Sequence, residues 1–233
     1  GMMILVFLMS ENELAWAQSI SDYRSHQTGN WNSTSTWERW DGSTWVTPSP
    51  YTPTTLSGEV AIQNGHAVTV TDGVTVDQVF VDVGGQMTLS SGVTLTIANG
   101  AGTDLSVSGS FQNAGTVTIN ASATVAFNSG STYQHSQDGG TIPTATWNAV
   151  STCLVTGAVG ALPGGLNQTF GHFTWNCSDQ TVAANLGSTL VINGNLTVQN
   201  TGTTGQFRFA AGTSTVAGSY IQSGGFVRLS GTS

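Results

Sequence analysis

From residue 59 onward apolar and polar positions alternate in short words, EVAIQNG, HAVTVTDG, VTVDQVFVDVGG, QMTLSSG and VTLTIANG, separated by Gly, Asn, Ser and Asp. Alternation with a period of two predicts strands of about four to six residues, each burying one face. No such strand is long enough to be stable alone. The words also recur. Val68/Val70 is followed by Met87/Leu89, Leu105/Val107 and Val125/Phe127; Val74/Val76 by Val93/Leu95 and Phe111; and Val60/Ile62 by Val79/Val81 and, later, Val117/Ile119. Three interleaved series at a common step of about 19 residues predict three strands per coil, each coil stacked on the one before. Farther on, Val198 to Val216 and Phe207 to Phe226 continue the step. The fold expected is an all-β, single-stranded parallel β-helix. A sandwich would need antiparallel partners, which have no reason to resemble one another at a fixed offset.

Composition fits that reading. Only 7% of the 233 residues are charged, Gly contributes 30, and polar character is carried by Thr, Ser, Asn and Gln. In-register stacking needs few charges, because like residues pair with like and backbone groups satisfy one another. The chain has no lysine and four arginines against twelve acids, a net charge of −8. That balance offers no cationic surface for phosphates and excludes nucleic acid as a partner.

Five segments follow from the pattern. Residues 1–17 begin with the apolar run Met2 to Met9 and reach Ala15-Trp16-Ala17, a small-x-small pattern that predicts a secretory signal peptide, although a basic start is missing. The run is too short to span a bilayer, which takes about 20 residues, so no transmembrane span is expected. Residues 18–58 form a tryptophan-rich segment, 59–134 regular coils, 135–180 irregular coils or a loop insertion marked by Pro143, Pro163 and paired glycines, and 181–233 further coils. The strand word FVRLS lies just before Ser233 without a polar cap, which leads us to expect a truncated C-terminus with downstream domains in the native protein.

The segment GNWNSTSTWERWDGSTWV places Trp31, Trp37, Trp40 and Trp45 directly ahead of the first coil. Two mechanisms compete for them. On one exposed face, with Asn32, Glu38 and Asp41 as acceptors, they would bind carbohydrate. Folded over the first coil they would cap it, burying ~150–250 Å² each. The edge that every solenoid must shield favours the cap.

Other chemistry is sparse. Cys153 and Cys177 could form one disulfide in an exported protein, or be two buried thiols. No Cys/His spacing supports a metal site, and no cofactor is implied. Asp72, Asp77 and Asp82 are the carboxylates to test for glycosidase chemistry, but they lie at turns and lack a supporting base. His26, His66, His135 and His172 are scattered, and no catalytic residue is assigned.

The words DYRSHQTGNW, TWERWDGSTWV, GEVAIQNGHAVTV, FGHFTWNCSDQT, LVINGNLTVQNTGTTGQFRF and GSYIQSGGFVRLSGTS resemble a family of large secreted β-helix proteins exported by Bacteroidetes-type secretion. The GNW…TW…IQNGHAVTV arrangement is similar, less closely, to the extracellular module called G8. The resemblance implies a secreted or cell-surface location and a repeat region serving as an extended scaffold; it carries over no catalytic residue. The function expected is a non-catalytic structural or adhesive scaffold, with a polysaccharide-binding or polysaccharide-degrading module as the alternative. Partners would be extracellular polysaccharide or cell-surface components.

Overall fold

Strand words of three to five residues cannot bury both faces alone, and the chain solves this by winding. The computed structural model, described for residues 18–186, 190–209 and 214–228, is an all-β solenoid of about seven turns. The expected signal peptide lies outside the described residues. Each regular coil contributes one strand to each of three faces.

The first face is an eight-stranded sheet in which Val60–Ile62, Val79–Val81, Leu105–Val107, Val125–Phe127 and Thr146–Trp147 stack in parallel. The second is a nine-stranded sheet running without a break from Gly29–Asn30 through Ala67–Val70, Gln86–Leu89, Ser110–Asn113, Thr132–His135, Thr152–Val155, His172–Asn176 and Leu196–Asn200 to Tyr220–Gln222. The third face pairs Val74–Val76, Thr94–Ile97 and Thr116–Ile119, and resumes farther on with Ala183–Leu186, Gln206–Phe209 and Val227–Arg228.

In-register stacking turns alternation into columns. On the second face Val68, Met87, Phe111, Tyr133, Cys153, Phe173 and Leu196 lie one above another, all fully buried. Aromatic rings fill the middle of the core. Phe127 stacks on Trp147 with centroids 4.2 Å apart, Trp147 meets Phe170 at 5.1 Å, and Phe170 meets Phe173 at 5.2 Å. Rings offset or edge-on at these distances add attraction beyond the area they bury.

The repeat is longer and less regular than the 19 residues expected, about 22 per turn. Val60 carries Val79 after 19 residues, Val79 carries Leu105 after 26, and Leu105 carries Val125 after 20. The strands keep their length while the corners change. Only Asp77 and Gln78 separate two strands at one corner, whereas residues 98–104 fill the corner after Ile97. A constant offset therefore slips by one face in the third coil. Leu105/Val107 belong over Val79/Val81 rather than over Met87/Leu89, and Val117/Ile119 belong over Leu95/Ile97. In the last coils Val216 sits over Ile192, and Phe207 pairs with Val227 rather than Phe226.

Between residues 136 and 166 the third face is built from stacked loops. Gly164 donates its N–H to the Gly140 carbonyl at 2.8 Å, and Ile142 donates to the Gly164 carbonyl at 3.0 Å. Gly139, Gly140 and Gly165 take φ of 65°, 67° and 77°, values that glycine adopts without strain, and Pro143 and Pro163 have no N–H for a ladder. The second face meanwhile continues in full register through this region.

Candidate functional site

The tryptophan segment turns the first face antiparallel. Trp37–Trp40 pairs with Tyr23–Ser25 and Trp45–Val46 pairs with Trp37–Trp40, so a hairpin extends the sheet beyond the first coil. Asp41 shapes its turn: Oδ1 accepts the N–H groups of Ser43 and Thr44 and the Ser43 hydroxyl, each at 2.8 Å. The Thr44 and Ser43 N–H groups hold this carboxyl below the usual carboxylate range. A short 3-10 turn, Thr34–Thr36, and the return segment with Pro48, Pro50 and Pro53 complete the end.

Strand alternation divides the four indoles. Trp37 points inward and is fully buried, as is Trp31, and their rings meet edge-on at 4.9 Å. Trp37 Nε1 donates to the Trp31 carbonyl at 2.8 Å, and Trp31 Nε1 donates to the Pro53 carbonyl at 3.1 Å. Two large rings thus enter the core with both N–H groups satisfied. Trp40 and Trp45 lie on the outer side, half-buried, as a cross-strand pair with centroids 5.5 Å apart. The Arg24 guanidinium sits 4.2 Å from the Trp45 centroid and its Nε lies 2.5 Å from Glu38 Oε1; Glu38 also accepts from the Thr47 hydroxyl at 3.1 Å. The four tryptophans therefore do not share one exposed face, and the acceptors expected beside them have other partners. Asn32 donates to Asp72 at 2.8 Å, Glu38 is held by Arg24, and Asp41 is held by its own turn.

Cys153 and Cys177 are both free and buried. Cys153 faces Phe173 in the next coil, and Cys177 lies four residues beyond Phe173, roughly 13 Å along the chain at strand rise. A disulfide spans far less, Cα to Cα. Burial pushes the Cys177 thiol up to about 11 and the Cys153 thiol well above its ordinary value, so both stay neutral thiols.

Asp72, Asp77 and Asp82 occupy three different corners, before Val74–Val76, after it, and after Val79–Val81. Burial raises the Asp82 carboxyl above the usual range, and Asp77 has the more unusual setting. Its Oδ1 is buried without a hydrogen-bond partner, and burial, reinforced by Asp104, raises its carboxyl above the usual range. Asp104 is fully buried and works architecturally: Oδ1 accepts the Gly100 N–H at 2.5 Å, and Oδ2 accepts the Thr124 N–H at 2.6 Å, which closes the long corner. Asp138 does the same between loops, its Oδ1 accepting from Val159, Gly160 and Ala161 at 2.8, 2.9 and 2.8 Å. Among the described residues no group of three or more His, Cys, Asp or Glu could hold a metal ion.

His66, His172 and His135 have specific partners, and His26 is exposed. His66 Nδ1 lies 2.8 Å from the buried Ser25 hydroxyl, and His172 Nδ1 accepts the Asn195 N–H at 2.9 Å. His135 is inside the solenoid, fully buried with Asn113 and Tyr133. The words SFQN and TYQH put Phe111/Asn113 and Tyr133/His135 at inward positions, so a polar residue at an inward position was the signal for this cluster. No helix is long and apolar enough to cross a membrane among the described residues. No family model, curated protein or solved structure matches the chain.

Proposed function

We propose that the chain is a non-catalytic scaffold of an extracellular or cell-surface protein, a stiff β-helical stalk or display module of the kind its sequence words resemble. One observation carries this reading: polar side chains at several corners tie one coil to the next. Asp22 accepts from Glu59, Asn32 reaches Asp72, Asp104 reaches Thr124, Asp138 reaches Val159, and His172 reaches Asn195. Each joins residues some 20 to 40 positions apart, the separation of neighbouring coils, at a place where the chain changes direction. Chemistry at an active site would instead converge such groups on one cleft. Short charge-assisted contacts at corners stiffen a rod.

The test is a glycan array with a reducing-sugar assay, run on wild type, Asp77→Ala and Arg208→Ala. A scaffold shows no turnover, and the two variants behave as wild type. Loss of measurable glycan turnover in either variant would replace the scaffold by an enzyme. Export is tested separately, by expressing the chain with residues 1–17 and sequencing the mature N-terminus, expected at Gln18.

A polysaccharide-binding reading has one observation in its favour, the outward placement and partial exposure of Trp40 and Trp45. It reduces the ligand face from four rings to two, and Arg24 already covers one side of Trp45. Glycan binding that disappears in Trp40→Ala while the fold is retained would support it.

A further inference from the structure

Three fully buried polar side chains, Asn113, Tyr133 and His135, form a relay whose hydrogens all point one way. At one end the Gly115 N–H, which can only donate, reaches Asn113 Oδ1 at 3.0 Å. That fixes the amide, so Asn113 Nδ2 donates to Tyr133 Oη at 2.9 Å. At the other end the Gly139 carbonyl, which can only accept, lies 2.7 Å from His135 Nε2. Nε2 therefore carries the hydrogen, and Nδ1 presents a lone pair to the Tyr133 hydroxyl 3.3 Å away. Both ends are backbone groups and cannot be reversed.

Such a relay has no place for another proton. A hydrogen on Nδ1 would face the hydroxyl hydrogen of Tyr133, and turning that hydroxyl would leave Oη accepting from both neighbours with its own hydrogen displaced into an apolar core. The groups packed around the ring supply no compensating negative charge. Val155 and Cys153 lie on the next strand, Phe127 packs against Tyr133, and the Cys153 thiol is neutral. Asp138, the nearest acid in the chain, turns its carboxylate to the N–H groups of residues 159–161. Burial accordingly pushes His135 below the ordinary imidazole value.

The relay ends at a wall of the coil built from loops instead of a strand. Gly139 belongs to the loop that replaces a third-face strand, and that loop supports the next one through Ala161, Gly164 and Asp138. We propose that His135 is an acid-sensitive latch: its protonation releases the Gly139 corner and opens the stacked loops 136–142 and 157–166, while the second face stays paired. The sign follows from linkage. In the open state the imidazole returns to about 6.5, so at higher pH both states are neutral and the latch is closed; as pH falls below about 6.5, opening is favoured about tenfold per pH unit until the closed-state value is reached.

The experiment is hydrogen exchange of the intact chain between pH 7.5 and 5, corrected for intrinsic exchange, with an NMR titration of the imidazole. Asp138 remains ionised throughout that window. Expected are a His135 titration below the ordinary value, and loop amides bonded across coils, those of Gly139, Ile142, Val159, Gly160, Ala161 and Gly164, that lose protection by about tenfold per unit below about pH 6.5. Amides of Gln86–Leu89 should not change. His135→Gln keeps a donor for Gly139 and should make the loops insensitive to pH. The latch is overturned if the wild-type loops keep their protection at pH 5, if His135 titrates at its ordinary value, or if His135→Gln shows the same acid loss. The wild-type titration and exchange decide the matter by themselves should His135→Gln not fold.

Discussion

The inward column of the second face is fully buried from Val68 to Leu196 and partly exposed at Tyr220, in the last of its described strands. Gly29 heads it, and Trp31, two residues on and also inward, is fully buried; Tyr220, over Leu196, is 42% exposed. Around Trp31 the first face turns antiparallel and brings in Trp37 and Pro53. Around Tyr220 the described strands Thr215–Val216, Tyr220–Gln222 and Val227–Arg228 have their neighbours on one side, and Ile221 and Phe226 are 43% and 54% exposed. The difference teaches what a coil obtains from its neighbours. Strands of two or three residues occur at both ends, and burial depends on what lies over them.

Substitutions at inward positions near the two ends of the second face sharpen the contrast. Trp31→Ala removes a fully enclosed ring at the covered end and should lower the unfolding free energy by about 3–5 kcal/mol, read from urea titration. Leu196→Ala, still fully buried one coil below Tyr220, should cost about 2–5 kcal/mol in the same assay. If Leu196→Ala behaved as a surface change, the covered region would end earlier than the exposures indicate. Asp138→Asn weakens three N–H contacts at an exposed loop, and solvent screening limits its effect to about 1 kcal/mol or less at neutral pH. Those N–H groups lower the Asp138 pKa, so the stabilisation is complete above about pH 4 and disappears as pH falls through the folded value. The variant should match wild type only in strong acid. Tyr220→Ala should change stability by about 0.5 kcal/mol or less, as at an ordinary surface position.

Much of this architecture was legible in the words themselves. Val60/Ile62, Val68/Val70, Val74/Val76 and Val79/Val81 alternate without interruption, and each becomes a strand at that place. Which word stacks on which was legible only through two coils, and even there Val74/Val76 pair with Leu95/Ile97 rather than Val93/Leu95, while Phe111 lies over Met87 on the second face. After Ile97 the seven-residue corner breaks the constant offset, and the contact that holds it, Asp104 to Thr124, joins side chains that no local pattern connects. The division of the tryptophans follows from strand geometry, because Trp37 and Trp40, three apart, must point to opposite faces. Ring count hid it. His135 resembles a turn residue by composition, yet its position two after Tyr133 in TYQH places it inside. Cys153 and Cys177 look like a pair on count, and only the register separates them.

The central claim is that the tryptophan-rich segment closes the solenoid. Urea unfolding of Trp37→Ala beside Trp40→Ala tests it most directly. Trp37→Ala should lose about 3–5 kcal/mol, because a fully buried ring leaves a cavity, and Trp40→Ala should lose clearly less, because its ring lies on the half-exposed outer side. Equal losses, or a Trp37→Ala protein as stable as wild type, would contradict the closure of the N-terminal end by Trp31 and Trp37.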